Sequence, residues 1–130
     1  MQFNELMNDN FVIPGYSRAQ AIEDGYIVDV TQVAQEAGIK YPVALSRTVW
    51  DKYIVPDERA LPYGQSEQGR LWDLLWMFRT AALRTSGPYL KFKCYFIMGE
   101  KQRWLVEFKS ICGPGDTAEP VITIMMPDED

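Results

Sequence analysis

A chain of 130 residues with no histidine, two cysteines and a formal net charge of −5 is defined first by what it cannot be. Histidine is the commonest metal ligand and titrates near neutrality, so Ser-His-Asp and Cys-His nucleophiles and His-based zinc or iron sites are excluded. Two cysteines also cannot supply a four-thiolate site. A hydrophobic fraction of 47% with 13% aromatics argues for one packed domain spanning 1–130, and the acidic whole argues against non-specific DNA binding, which depends on phosphate neutralisation.

Residues 1–15 show no sustained period and read as an irregular N-terminal arm ending in the turn Ile13-Pro14-Gly15. Ser17 offers an N-cap to a short helix over Arg18–Glu23, closed by Asp24-Gly25. The β-branched run Tyr26–Val30 predicts a strand. Thr31 is the natural cap of a second helix through Ala37, with Gly38 in the C′ position. Tyr41-Pro42 breaks any helix, and Ser46 is placed to cap a third through Trp50 to Ile54. Helices this short need tertiary packing to hold them.

Residues 55–68 form the one long polar connection, a length that in compact domains points to function or disorder. The strongest helix is predicted over 69–85, where Leu71, Leu74, Leu75, Phe78 and Ala82 make one apolar stripe, widened by Trp72 and Trp76. Ser86-Gly87-Pro88 ends it, and the pattern then turns to strands at 89–98, 103–112 and 120–126. A hairpin with a three-residue loop at Gly99-Glu100-Lys101 sets Phe92 opposite Phe108, Cys94 opposite Val106 and Phe96 opposite Trp104. Lys93–Glu107 and Lys91–Lys109 then pair on the other face. Cys94 and Cys112 are not neighbours in that register. The expected fold is α+β: a single small domain with an antiparallel sheet of three to four strands against one long helix (about 69–85) and short N-terminal helices.

Charge is unevenly placed, with a net of −5 over 1–69, +5 over 70–109 and −5 over 110–130. The acidic residues Asp116, Glu119, Asp128, Glu129 and Asp130, with Asp57, Glu58 and Arg59 in the long loop, are the candidate partner-binding surface. Tyr16, Arg18, Arg47, Trp50 and Arg70 form a candidate ligand-binding or structural polar cluster. Arg and aromatics concentrate binding energy, and Arg grips carboxylate or phosphate bidentately. Gly113-Pro-Gly-Asp116 is a candidate anion nest, but Asp116 and Glu119 put negative charge beside it, which favours a plain connecting loop. Asp51, Asp57 and Glu58, or Asp116 with Glu119, are the carboxylates available for acid–base or magnesium chemistry; nothing in their spacing makes them converge. Lys91, Lys93 and Lys109 beside Tyr95 superficially imitate a nucleic-acid platform; the pairing with Glu107 favours a solubilising edge. No catalytic, cofactor-binding or metal-ligating residue is assigned, and no cofactor is expected.

No apolar run is long enough to span a membrane, and Met1–Leu6 lacks the basic and apolar regions of a signal peptide. Cysteines embedded in apolar stretches suit reduced thiols, so the expected location is the cytoplasm. The runs Tyr16–Gly25, Val28–Val30, Tyr41–Trp50, Gly69–Trp76 and Gly113–Asp116 with Glu119–Ile124 resemble a family of small uncharacterised bacterial proteins carried on plasmids, phages and other mobile elements. That resemblance carries no activity and no catalytic residues. It implies accessory cargo that acts non-enzymatically by binding a host or element protein, for example as an inhibitor of a bacterial defence system. The alternative expectation is a small enzyme or small-ligand domain using Arg47, Arg70 and carboxylates; leftover edge strands leave a homodimer open.

Overall fold

Short runs of β-branched and apolar residues pair across the whole chain into one five-stranded sheet in the computed structural model, which describes residues 16–129. The irregular arm expected over 1–15, and Asp130, lie outside the described residues. In chain order come α1 (Arg18–Glu23), β1 (Ile27–Asp29), α2 (Thr31–Glu36), β2 (Val43–Ser46) and α3 (Arg47–Val49). A π turn (Trp50–Ile54) and a 3-10 turn (Leu61–Tyr63) follow, then α4 (Glu67–Ala82), β3 (Tyr89–Gly99), β4 (Gln102–Pro114) and β5 (Pro120–Met125).

The strand order is β1-β2-β5-β4-β3, antiparallel throughout except for the parallel neighbours β2 and β5. The sheet is therefore five-stranded and mixed, not three or four antiparallel strands. The strand that sequence reading passes over is β2. All four of its residues are buried, as befits an interior strand with a parallel neighbour, so it lacks the alternation that marks a half-exposed strand. It also runs directly into α3, because Ser46 both ends the strand and accepts the Val49 N–H as N-cap at 3.2 Å.

The hairpin register is the one the hydrophobic pattern demands: Phe92↔Phe108, Cys94↔Val106, Phe96↔Trp104, Lys93↔Glu107 and Lys91↔Lys109. Its tip differs. Gly99 pairs with Gln102, leaving Glu100-Lys101 as the connection, with a register shift between Ile97 and Gly99 and Lys101 at φ 53°. Cys94 is buried, Cys112 is half-buried, and both are free thiols.

α4 starts two residues before Gly69 because Ser66 accepts the Gly69 N–H at 3.0 Å. A Cβ at Gly69 would press on that hydroxyl at 3.1 Å, a reason for glycine inside the first turn. Thr31 does not cap α2 as expected; Asp29 accepts both its N–H (3.1 Å) and its hydroxyl (2.5 Å), and the Thr31 hydroxyl accepts from Val43 N.

The main core lies on one face of the sheet. There Leu71, Leu74, Leu75 and Phe78 of α4 meet Phe92, Cys94, Phe96, Val106 and Phe108, while Ala34 of α2 and Ile54 of the π turn belong to the same cluster as Val43, Leu45, Ile122 and Ile124. Phe108 is its centre, with Tyr53, Phe92 and Phe96 rings 5.6–5.9 Å away. On the opposite face α1 covers only the β1–β2–β5 side, through a small cluster of Ala21, Ile27, Ala44 and Met125. Trp72 and Trp76 do not extend the core. They stack on each other at 6.3 Å on the solvent side of α4, and Arg79 lies over Trp76 at 5.3 Å.

Candidate functional site

The sequence-singled polar residues fall into separate structural locks. Asp116 lies at the N-terminus of α1, where its carboxylate accepts the Arg18 N–H at 2.7 Å and the Ala19 N–H at 3.1 Å. Two of the four orphan donors of that helix are thereby satisfied, with negative charge at the positive end of its dipole. The Arg18 side chain turns onto the sheet, donating to Thr123 Oγ1 at 2.8 Å and the Ile122 carbonyl at 2.9 Å. Burial pulls its pKa below the ordinary arginine value, opposed by the charges of Asp29, Asp116 and Glu119. Tyr16 donates to Asp24 at 2.9 Å, and desolvation together with that carboxylate pushes its phenol up to about 12.

Arg70 is buried and ties three segments together. It donates to the Tyr53 carbonyl (2.9 Å), the Ile97 carbonyl (2.6 Å) and Gln65 Oε1 (3.3 Å), and lies 5.6 Å from the Phe96 ring. Arg47 is elsewhere and exposed, donating to the Gly25 carbonyl at 3.0 Å with Asp51 3.7 Å away; Trp50 packs against the main core. Arg18, Arg47 and Arg70 thus serve three different junctions and do not share a pocket. Gly113-Pro-Gly-Asp116 leads from β4 into the connection to β5, the loop reading that its flanking acids favoured over an anion nest, and its carboxylate holds α1.

The acidic surface is likewise divided. Glu119 bonds the hydroxyl and N–H of Thr117, and these bonds hold its carboxyl below the usual range. Glu129 sits past the opposite end of β5, accepting from buried Ser46 (2.7 Å) and from Met126 N (2.9 Å); Asp128 beside it is exposed. Asp116 and Glu119 therefore face one end of the sheet and Asp128 and Glu129 the other. In the long loop, burial would raise Asp57, but hydrogen bonds from the Arg59 side chain and from the Ala60 and Arg59 N–H groups outweigh it and hold it low. Asp57, Glu58 and Arg59 remain exposed. Among the described residues no three Cys, Asp or Glu side chains are grouped to hold a metal ion, and no helix is long and apolar enough to cross a membrane.

What the fold leaves open is the half of the outer sheet face that α1 does not reach. Along β3 and β4 this face presents Tyr89 (68% exposed), Tyr95 (53%), Ile97 (40%) and Leu105 (49%), with Tyr95 directly opposite Leu105. Lys91, Lys93, Arg103 and Lys109 share it, against the single acid Glu107, and the Arg103 guanidinium stacks 4.3 Å from the Tyr95 ring centre. At the hairpin tip the face runs into a shallow open cleft of about 450 Å³ lined by Tyr63, Ile97, Gly99, Lys101, Gln102 and Arg103. Tyr63 comes from the 55–68 connection, which also brings the Arg59 side chain to Gly99. Trp104, half-exposed on the inner face where β5 no longer accompanies β4, adds another aromatic at this end. A mixed apolar, aromatic and basic surface of this kind can bury side chains of a partner and draw in negative charge. Sequence reading identified the lysines and Tyr95 but passed over Tyr89, Ile97 and Leu105. Their signal was available: large apolar residues at the odd positions of a hairpin whose even positions already supply the core.

The chain belongs to a family of unknown function, DUF6573, whose model matches residues 3–130. No curated protein and no solved structure matches it.

Proposed function

We propose that this domain acts without catalysis of its own, as a binding module for another protein, through the solvent face of the β3–β4 hairpin. The observation that carries this reading is the uneven covering of one sheet face. α1 buries the β1–β2–β5 side, while Tyr89, Tyr95, Ile97 and Leu105 stand in water among four basic side chains. Exposed aromatic and aliphatic residues beside arginine are the composition of interface centres, and the lysines favour an acidic partner. The carboxylates of Asp116, Glu119 and Glu129 already accept hydrogen bonds from the chain itself, which favours the basic hairpin over the acidic ends as the main contact. Arg59, whose side chain lies beside Gly99 at the tip cleft, and its exposed loop neighbours Asp57 and Glu58 supply a secondary contact. In the setting that the mobile-element resemblance implies, the partner is a host or element protein, such as a component of a bacterial defence system.

The test is affinity capture from a bacterial host with three baits: the wild type, a Lys93→Glu/Leu105→Asp double variant, and Asp57→Asn/Glu58→Gln. A stoichiometric partner held by the first and third baits and lost by the second supports the hairpin face. Equal capture by all three would refute it, and loss only with the third bait would return the contact to the acidic loop.

A further inference from the structure

Building on that reading, we infer that the partner adds a β-strand to the open edge of β3, and that the added strand alternates acidic with apolar residues. β3 is the last strand of the sheet and eleven residues long, and among the described residues nothing pairs along its outer side. The phase of its backbone follows from one bond. The Pro88 carbonyl accepts the Cys112 N–H at 2.8 Å, which makes 88 and 112 a hydrogen-bonded pair. In an antiparallel ladder such pairs alternate with non-bonded ones, so Leu90, Phe92, Cys94 and Phe96 bond to β4 while the intervening residues point their N–H and C=O groups away from it. Arg70 confirms the phase by taking the outward carbonyl of Ile97. Tyr89, Lys91, Lys93 and Tyr95 are left as an open edge of about 20 Å, long enough for a seven-residue strand.

The side chains decide the occupant. Residues directly opposite Lys91 and Lys93 in an added strand lie on the same outer face as the two ammonium groups, so acids fit there and bases do not. The alternate residues of that strand turn toward the inner face, beside half-buried Leu90. A second copy of this chain is disfavoured, because two-fold antiparallel pairing over all four edge residues sets Lys91 opposite Lys93 twice.

The test uses a capped Glu-Val-Glu-Val-Glu-Val-Glu peptide and two N-methylated forms. In an added strand running antiparallel to β3, the orientation the test addresses, the glutamates that face the lysines also aim their N–H groups at β3, whereas the valines aim theirs away. Binding of the parent and the valine-methylated peptide, a loss of about tenfold or more on methylating the glutamates, and slowed amide exchange at Lys91, Lys93 and Tyr95 are the expected results. If all three peptides bind alike and edge exchange is unchanged, strand addition is overturned while an acidic partner on the face survives. If no peptide binds, both readings fall, whether or not an oligothymidylate of equal charge binds in their place; binding by the oligothymidylate would reassign the face to single-stranded nucleic acid.

Discussion

Replacing Arg70 with methionine tests whether a buried cation, bonded only to neutral acceptors, holds the hairpin tip to the helical layer. The guanidinium donates to the Tyr53 carbonyl at the end of the π turn and to the Ile97 carbonyl near the end of β3, while its stem leaves α4. Methionine has similar length and restores apolar contact, and the cost of desolvating the guanidinium is returned. The net effect is then set by the two carbonyls left without a donor. Both are partly buried, so water recovers some of the loss, and the cost is taken near the low end of the range for an orphaned group, about 1–1.5 kcal/mol each. The expected destabilisation is about 2–3 kcal/mol, a drop in Tm of roughly 10 °C for a domain of this size. Lysine can reach only one carbonyl at a time, so Arg70→Lys should fall about halfway. Urea unfolding followed by tryptophan fluorescence, with m unchanged, measures both. An Arg70→Met protein within about 0.5 kcal/mol of wild type, the range of a surface substitution, would show that the three-way tie contributes nothing and that the tip is held by other contacts.

Asp116→Ala should cost about 1–2 kcal/mol and speed amide exchange at Arg18 and Ala19, because a six-residue helix loses the carboxylate bound to its first N–H groups; unchanged exchange would refute the lock. Glu119 has its carboxyl held low by the Thr117 hydroxyl and N–H, so the unfolded chain binds its proton at higher pH than the folded one. Its stabilisation is present above the ordinary carboxylate range and lost as pH falls through the depressed value; Glu119→Gln should flatten the acid limb of stability against pH, and an unaltered limb would refute the assignment. Burial, aided by the charge of Asp73, pushes the Cys94 thiol up to about 12. A thiol reagent at pH 8 should therefore modify Cys112 first in the native protein, with Cys94 reacting only on unfolding, as read by mass spectrometry.

Local chemistry determined what could be read from the chain alone. The apolar stripe of Leu71, Leu74, Leu75 and Phe78 demands a helix with one buried face, and period-two alternation over β3 and β4 admits one register, since a slip by one residue would turn Lys93 and Glu107 into the core. The turn and cap residues Ser17, Ser46 and Gly25 declare themselves in the same way, because each satisfies a donor or a positive φ a few residues away. What the tertiary structure alone decided is long-range. That Val43–Ser46 is an interior strand beside β5 depends on a partner some eighty residues on, and its continuous burial removes the alternation by which a strand is recognised. That Asp116 meets α1, that Arg70 reaches the Tyr53 and Ile97 carbonyls, and that Glu129 docks on Ser46 are likewise pairings that spacing along the chain does not encode. The open hairpin face belongs to both levels. Alternation places Tyr95, Ile97 and Leu105 on the side away from the core, and only the short reach of α1 over the sheet leaves them in water.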